Sequence, residues 1–200
     1  TRHQSPHRPT RPLRRTAMDA ARNQLKPLNS YHAAGLTHAA SNYERVVVAI
    51  SNAHVSHTAS DPFTGGERYE MIAAWARALS IWDRLDVIPV PVDDEPTAWV
   101  ATIRAIAPGF GCVYTRSAWT RALFDYWGFP NSDSLIQGHS LSASEVRASM
   151  AAGGAWRSLV PLPVAEIIEA CGGVSRVADL SDGKNHRLHT GAAREPGESR

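Results

Sequence analysis

Three short apolar runs, rich in β-branched residues, most constrain the fold of this chain. They cover Val46 to Ile50, Leu85 to Val92 and Phe110 to Tyr114. Continuous apolar runs of this length are typical of parallel strands buried on both faces. Helical patterns lie between them, and strands that alternate with helices predict an α/β fold with a doubly wound parallel sheet. The last part of the folded chain, with Glu145 to Met150 and Val164 to Ala170, is predicted to be helical.

Two capping boxes mark helix starts, since a serine or threonine is followed three residues later by glutamate. Thr64 and Glu67 predict a helix that runs to about Arg84, and Ser142 and Glu145 predict a second one. Free backbone N–H groups and the helix dipole make such starts favourable for anions. Further helices are predicted from Thr97 and over Ala118–Tyr126.

Charge divides the chain into a folded unit and two tails. Residues 1–16 hold five of the 21 basic side chains and no acid, which leaves 16 basic against 19 acidic groups, a net charge of −3. We expect a disordered basic tail over 1–16, one folded domain over 20–182 and a second disordered tail over 183–200. Because the excess of basic charge is confined to the tail, no specific nucleic-acid partner is expected.

Several classes of protein are excluded by what the sequence lacks. No apolar stretch approaches the ~20 residues that span a bilayer, and no secretory signal pattern is visible. We therefore expect a cytoplasmic protein with no membrane partner. Cys112 and Cys171 are isolated, and the His3–His7 pair has no cysteine near it. Neither a disulfide framework nor a protein-held metal site is predicted.

A polar loop follows the first of the predicted strands. The run from Ser51 to Met71 leaves that strand and leads into the helix that begins at Thr64. Polar loops at the carboxyl ends of strands are where open α/β sheets bind nucleotides. The loop is therefore the first candidate for a ligand site.

The same loop carries a motif. It contains Ser56-His57-Thr58, then Asp61-Pro62-Phe63-Thr64, then Glu67-Arg68, and Ser142 to Arg147 and Leu159-Val160-Pro161 follow further on. In order and spacing the chain resembles the archaeal-type nicotinamide mononucleotide (NMN) adenylyltransferases. Those enzymes carry GSA-x-x-SHT-x-x-NPFT-x-x-ER-x-x-MI, then ISGTEIR, then a Leu-Val-Pro helix. The resemblance extends from Val46 to Leu180 and implies a Rossmann-like nucleotidyltransferase fold.

The family also has a His-x-Gly-His signature. Counting back without gaps from the matched strand places Asn29 at the first histidine, Tyr31 at the glycine and His32 at the second histidine, with Pro27 before them. The resemblance implies that His32 and Asn29 are catalytic, beside the α-phosphate of ATP, and that Pro27 lines the ATP site. A rival register aligns Arg2, Gln4 and His7 with the upstream GRFQPFH, but no strand is predicted ahead of it. Ala17 to Ala21 themselves make a poor first strand.

The resemblance assigns further residues to each substrate. Arg147 stands at the arginine of ISGTEIR and is expected to be a catalytic residue that binds the triphosphate of ATP. Its guanidinium suits this role, since it can bind phosphate with two hydrogen bonds. Ser142 and Ser144 are expected to bind ATP as well. The acceptor is expected to contact Trp99, Asn52, Ser56, His57, Thr58 and Arg68. From pattern alone, core packing is the more common fate of a helical tryptophan such as Trp99, and Arg68 fits a salt bridge.

The implied reaction transfers AMP from ATP, which brings Mg²⁺, to NMN and forms NAD and pyrophosphate. Two alternatives stay open. The turn Thr115-Arg116-Ser117 departs from the family's Asn-bearing turn, which favours a nucleotidyltransferase with a different acceptor. Tyr31 and Asn29 favour a catalytically impaired nucleotide-binding homologue. The partners expected are ATP and an NMN-like phosphorylated acceptor, and a homo-oligomer is an alternative to a monomer.

Overall fold

The structure is a computed structural model that describes residues 15–18, 25–91, 95–115, 117–132 and 140–183. The strands are β1 (Arg15–Met18), β2 (Val46–Ser51), β3 (Leu85–Val90), β4 (Phe110–Tyr114) and β5 (Asn131–Ser132). The α-helices are α1 (Ser30–Asn42), α2 (Gly65–Ala78), α3 (Pro96–Ile106), α4 (Ala118–Tyr126), α5 (Ala143–Ala151), α6 (Leu162–Ala170) and α7 (Gly173–Ser181). Two short 3₁₀ turns cover Trp82–Arg84 and Trp156–Leu159.

The described strands form one parallel sheet in the order β3-β2-β1-β4-β5. This order reverses next to β1, so loops leaving neighbouring strands there diverge and open a crevice at the carboxyl edge. All six residues of β2 are buried, as expected for a strand covered on both faces. The doubly wound parallel α/β fold predicted from the sequence is confirmed.

Three helices at the end of the described chain pack on the first half of the domain. Helix α6 packs against α2, and α5 packs against α7. Arg176 on α7 binds both carboxylate oxygens of Glu67 at 2.7 and 2.9 Å, and it also donates to the Pro62 carbonyl. The predicted helical C-terminal part is therefore present, and it braces the loop between β2 and α2.

Two boundaries differ from the sequence predictions. Arg15 and Thr16, expected in the tail, belong to β1, so the domain starts before residue 20. This strand is short and polar at its start, but it pairs with β2 on one side and β4 on the other. Helix α2 ends at Ala78 rather than near Arg84. Two residues after this end, Ser80 adopts a positive φ of 56°, which an α-helix does not contain.

Some expectations fall on residues that the structure does not describe. The two predicted tails lie outside the described residues except for Arg15, Thr16 and Gly183, and so does Arg116 of the turn after β4. Among the described helices, none combines the length and the apolar character that a bilayer crossing requires.

Candidate active site

The candidate site lies around the carboxyl end of β1, the strand next to which the sheet order reverses. The segment 25–29 comes between β1 and α1, and the loop 52–64 follows β2, the neighbour of β1. This order of elements favours the register through His32, because Asn29 and His32 follow β1 and begin the next helix. Residues 2–7 of the rival register precede β1 in the chain.

Asn29 is the N-cap of α1 and is fully buried. Its Oδ1 accepts the backbone N–H of His32 at 2.9 Å, and its Nδ2 donates to the carbonyl of Leu141 at 2.9 Å. Leu141 directly precedes the cap of α5. One side chain therefore stabilises the start of α1 and holds it against the start of α5, while the predicted contact of Asn29 with the α-phosphate stays a prediction.

His32 completes the cap, as the third residue of α1. Its Nδ1 accepts the backbone N–H of Asn29 at 3.4 Å. A neutral imidazole that accepts at Nδ1 carries its proton on Nε2. The capping box therefore fixes the orientation of the His32 ring, with its Nε2–H directed away from the Asn29 N–H. His32 is partly exposed at this helix start. Tyr31, at the glycine position of the signature, is the second residue of the same helix and is partly exposed.

The start of α5 presents two exposed hydroxyls. Ser142 caps the helix: its Oγ accepts the N–H of Glu145 at 3.2 Å, and its own N–H donates to Glu145 Oε2 at 2.7 Å. The Oγ atoms of Ser142 and Ser144 lie 2.9 Å apart. The capping box predicted here is confirmed, and the Ser142 hydroxyl also donates to Glu145 Oε2 at 2.7 Å. A helix start of this kind is a favourable place for phosphate oxygens.

Arg147 reaches from α5 to the segment after β1. Its Nη1 donates to the backbone carbonyl of Lys26 at 3.0 Å. Burial lowers the pKa of the Arg147 guanidinium from its ordinary value, and the Asp61 carboxylate opposes that shift. Pro27, predicted to line the ATP site, is buried directly beside this contact. Arg147 and Asn29 thus form two links between the segment 25–29 and the α5 region.

Arg68 binds the backbone at both ends of the loop after β2. It is 1% exposed, and it donates to the carbonyls of Ser51, Asn52 and Thr64 at 2.7, 2.8 and 3.4 Å. Asn52 itself has a positive φ of 54°, so these bonds hold an uncommon backbone conformation. The contacts give Arg68 a loop-shaping role, through which any effect on the acceptor would be indirect.

The other acceptor candidates lie in the same loop. His57 Nδ1 is 2.9 Å from Ser56 Oγ, and Thr58 exchanges backbone hydrogen bonds of 3.2 Å with Asp61. A Cβ at Gly65 would lie 2.4 Å from the Ala53 carbonyl oxygen, so α2 begins closer to the loop than a side chain would allow. The loop is therefore a folded element with Ser56, His57 and the exposed Thr58 on it.

Trp99 lies in the core of the domain. It is 8% exposed and packs edge-to-face on Phe124, with ring centroids 5.7 Å apart. Its position early in α3, shortly after β3, is at the carboxyl edge of the sheet. Core packing accounts for the observed contacts, and the predicted contact with the acceptor ring stays a prediction.

The sequence reasoning missed a buried ion pair between Lys26 and Asp61. The two side chains are 1% and 5% exposed, and Lys26 Nζ contacts Asp61 Oδ1. Nothing in local periodicity pairs residues from two different loops. A weak signal was available, because Asp61 stands where the motif quoted above has asparagine.

Comparisons with known proteins identify the family. A nicotinamide-nucleotide adenylyltransferase of Methanothrix thermoacetophila is 31% identical over 159 residues, which cover 79% of this chain and 92% of that protein. One from Pyrococcus horikoshii is 31% identical over 79% of this chain and 86% of its own length. One from Methanosarcina mazei is 35% identical over 79% and 91%. No protein-family model matches the chain.

A solved structure shares the fold. It is a bifunctional NMN adenylyltransferase/ADP ribose pyrophosphatase from Francisella tularensis, complexed with AMP and a manganese ion, with a TM-score of 0.66 and 13% identity. The match covers 86% of this chain and 53% of that one, so the chain spans about half of the bifunctional protein. The likeness to this structure is one of fold. Because the archaeal relatives match over most of their own length, the chain belongs to the nicotinamide-nucleotide adenylyltransferase family of nucleotidyltransferases.

Proposed function

We propose that this protein transfers AMP from ATP to NMN and releases NAD and pyrophosphate. The observation that carries the proposal is the pairing of two helix starts at the switch point of the sheet. Asn29 joins α1 to Leu141, and Arg147 joins α5 to Lys26. Two helix starts, an arginine and two hydroxyls within one connected unit suit a ligand with several phosphates.

The reaction needs no covalent intermediate on the enzyme. A 5′-phosphate oxygen of NMN attacks the α-phosphorus of ATP in line, the bond to the β-phosphate breaks, and pyrophosphate leaves. Catalysis then depends on positioning and on stabilising charge at the α-phosphate and the leaving group. In this proposal His32 donates through Nε2–H to the α-phosphate, and Arg147, Ser142 and Ser144 bind the β- and γ-phosphates.

Mg²⁺ enters this proposal with ATP. Within the described ranges, no group of three or more His, Cys, Asp and Glu side chains is placed to hold a metal ion. In this proposal the cation is held chiefly by phosphate oxygens. When bound, it would offset negative charge on the triphosphate.

The acceptor is proposed to lie over the loop after β2. Asn52, Ser56, His57 and Thr58 line that loop, and Arg68 holds its backbone. Trp99 is proposed to stack on the ring of the acceptor, although only 8% of the residue is exposed without a ligand. A flat indole suits a pyridinium ring because a cation–π interaction adds to the stacking.

A second candidate function is nucleotide binding without turnover. It is favoured by Asn29, whose amide bonds within the protein while standing at a catalytic position of the family signature. If Asn29 gives no hydrogen bond to the α-phosphate, the transition state loses one donor.

One assay separates the two candidates. The protein is incubated with ATP, Mg²⁺ and either NMN, nicotinic acid mononucleotide or a phosphorylated sugar, and both pyrophosphate and the dinucleotide are measured. We expect NAD with NMN, and a loss of about 2 to 4 kcal/mol in transition-state stabilisation for Arg147→Ala. Arg147→Lys should recover only part, because an ammonium lacks the guanidinium fork.

The matched control is Arg157→Ala, which removes an exposed arginine paired with Glu169. Binding of ATP without pyrophosphate release from any acceptor would favour the second candidate. Turnover at the wild-type rate in Arg147→Ala would remove Arg147 from the mechanism.

A further inference from the structure

The buried pair of Lys26 and Asp61 connects the two loops of the site. Lys26 belongs to the segment between β1 and α1, and Asp61 lies near the end of the loop between β2 and α2. Both side chains are almost fully buried. The pair therefore joins the segment assigned to ATP with the loop assigned to the acceptor.

Each partner makes further hydrogen bonds, Lys26 through its backbone carbonyl and Asp61 through its second carboxylate oxygen and its backbone N–H. The Lys26 carbonyl accepts from Arg147 at 3.0 Å. The Asp61 Oδ2 accepts from Ser60 Oγ at 2.8 Å, and the Asp61 N–H donates to Thr58 Oγ1 at 3.0 Å. A displacement of Lys26 would therefore move the acceptor of the Arg147 hydrogen bond, and a displacement of Asp61 would move Thr58.

Stability alone is a poor reason for a charged pair at this place. Removing two charges from water costs free energy that their attraction often fails to recover, and uncharged replacements are often as stable. A buried pair does fix geometry, because neither partner can leave the other without exposing an unpaired charge. Its energetic value thus lies in a defined distance between two segments.

The charges around the pair are unbalanced. The Asp61 carboxylate favours the charged forms of three neighbouring side chains, Lys26, Arg68 and Arg147. Burial lowers the pKa of the Lys26 ammonium, Asp61 opposes this, and Arg68 and Arg147 add to the lowering. The surplus of positive charge is the kind that a polyphosphate would neutralise.

We propose that Lys26 and Asp61 are positioning residues, whose ion pair sets the place of the Arg147 guanidinium before the triphosphate binds. This inference rests on the proposed function, since it takes Arg147 to bind the triphosphate. Lys26 acts through its carbonyl, and Asp61 acts through Lys26. Neither side chain contacts the substrate.

The decisive variant is the double change Lys26→Gln with Asp61→Asn. It removes one positive and one negative charge, so the net charge of the site is unchanged, and it keeps polar groups of similar size. The probe is inorganic tripolyphosphate with Mg²⁺, titrated calorimetrically, because its binding requires no turnover. We expect binding weaker by about 30-fold, because a misplaced guanidinium loses charge-assisted hydrogen bonds to the triphosphate. The KM for ATP should rise, while the KM for NMN should change less.

A double-mutant cycle tests the link to Arg147. Arg147→Ala should weaken tripolyphosphate binding strongly in the wild-type background and about tenfold less in the double variant, because coupled residues are not additive. Arg45→Gln with Asp86→Asn is the matched control, since it removes both charges of the Arg45–Asp86 pair between the start of β2 and β3, at the opposite edge of the sheet. It should leave binding unchanged. An equal effect of Arg147→Ala in both backgrounds would overturn the proposal.

A further variant covers loss of folding. Asp61→Glu keeps the charge and shifts the carboxylate by one methylene, and we expect tripolyphosphate binding to weaken by about five- to tenfold, because the hydrogen bonds of Arg147 to phosphate become longer. Unchanged binding in this variant would also overturn the positioning role. Wild-type protein that binds tripolyphosphate with the expected coupling but forms no NAD would refute the proposed function and leave the positioning role intact.

Discussion

The side-chain amide of Asn29 donates a 2.9 Å hydrogen bond to the carbonyl of Leu141, across 112 residues of sequence. The same amide caps α1 through the N–H of His32. The orientation of α1 and the position of the segment leading into α5 therefore depend on one buried side chain. A change at Asn29 should alter both ends of the ATP site together.

Asn29→Ala should lower the free energy of unfolding by about 2 to 4 kcal/mol, because it removes a helix cap and leaves a carbonyl without its donor. Urea denaturation measures this loss, and the KM for ATP should rise. Asn29→Asp separates the two effects, since a carboxylate can cap α1 but cannot donate to Leu141. Ser117→Ala, which removes the side-chain cap of α4, should cost only about 1 kcal/mol. Wild-type stability and KM in Asn29→Asp would contradict the link to α5.

His32→Ala should lower kcat by a factor that corresponds to about 2 to 4 kcal/mol, if its Nε2–H stabilises charge on the α-phosphate. Because the donor strengthens as charge develops, kcat should fall more than the KM for ATP rises. His38→Ala is the control: His38 lies six residues later on α1, where its ring packs on Tyr114. A change confined to KM would assign His32 to ground-state binding.

Arg68→Met should destabilise the fold by about 3 to 5 kcal/mol, because three carbonyl oxygens lose a charged donor. Arg68→Lys should restore part of the stability, since an ammonium cannot span all three oxygens. Thermal melting measures both variants, and NMN saturation tests the loop. Arg77→Met is matched on the same helix, where Arg77 is exposed and stacks on Trp82. Full stability of Arg68→Met, combined with a raised KM for NMN, would instead indicate direct contact with the acceptor.

Acid should weaken the contact between α7 and the start of α2. Burial alone would raise the pKa of Glu67, but hydrogen bonds from Arg176 and Thr64 lower it below its ordinary value. A carboxylate whose pKa is lowered in the folded state stabilises the protein at pH values above its pKa in the unfolded state, which is about 4.3. This stabilisation is lost as the pH falls through the lowered pKa of the folded state.

Unfolding measured at neutral pH and at successively lower pH should show this loss in the wild type. Glu67→Gln should be less stable at neutral pH and should change less on acidification. Glu169→Gln, which disrupts an exposed pair with Arg157, serves as the control and should keep the wild-type acid response. The same response in Glu67→Gln and wild type would exclude Glu67 as a source of acid sensitivity.

The parts of the fold that local chemistry determines were predictable from the sequence. Strand β4 has the predicted bounds, and so does α4, because each is set by an apolar run or a helix signal within its own residues. The capping boxes at Thr64 and Ser142 were also visible, since both partners lie three residues apart. These features rely on short-range interactions, which the sequence displays directly.

Other features depend on partners that are distant in sequence. Strand β1 exists through its pairing on both edges, so its four residues carry little signal of their own. The roles of Asn29 and Arg68 depend on carbonyl groups that no side-chain pattern reveals. The ion pair of Lys26 and Asp61 joins two loops and was missed for the same reason.

The bond between Arg176 and Glu67 also bears on the order in which the chain is synthesised. Glu67 is translated 109 residues before the arginine whose guanidinium braces it. Until Arg176 has left the ribosome, the nascent chain contains the loop after β2 without the support of α7. Nucleotide binding by a growing chain should therefore appear late and abruptly, after α7 has emerged, rather than in proportion to the length of sheet already made.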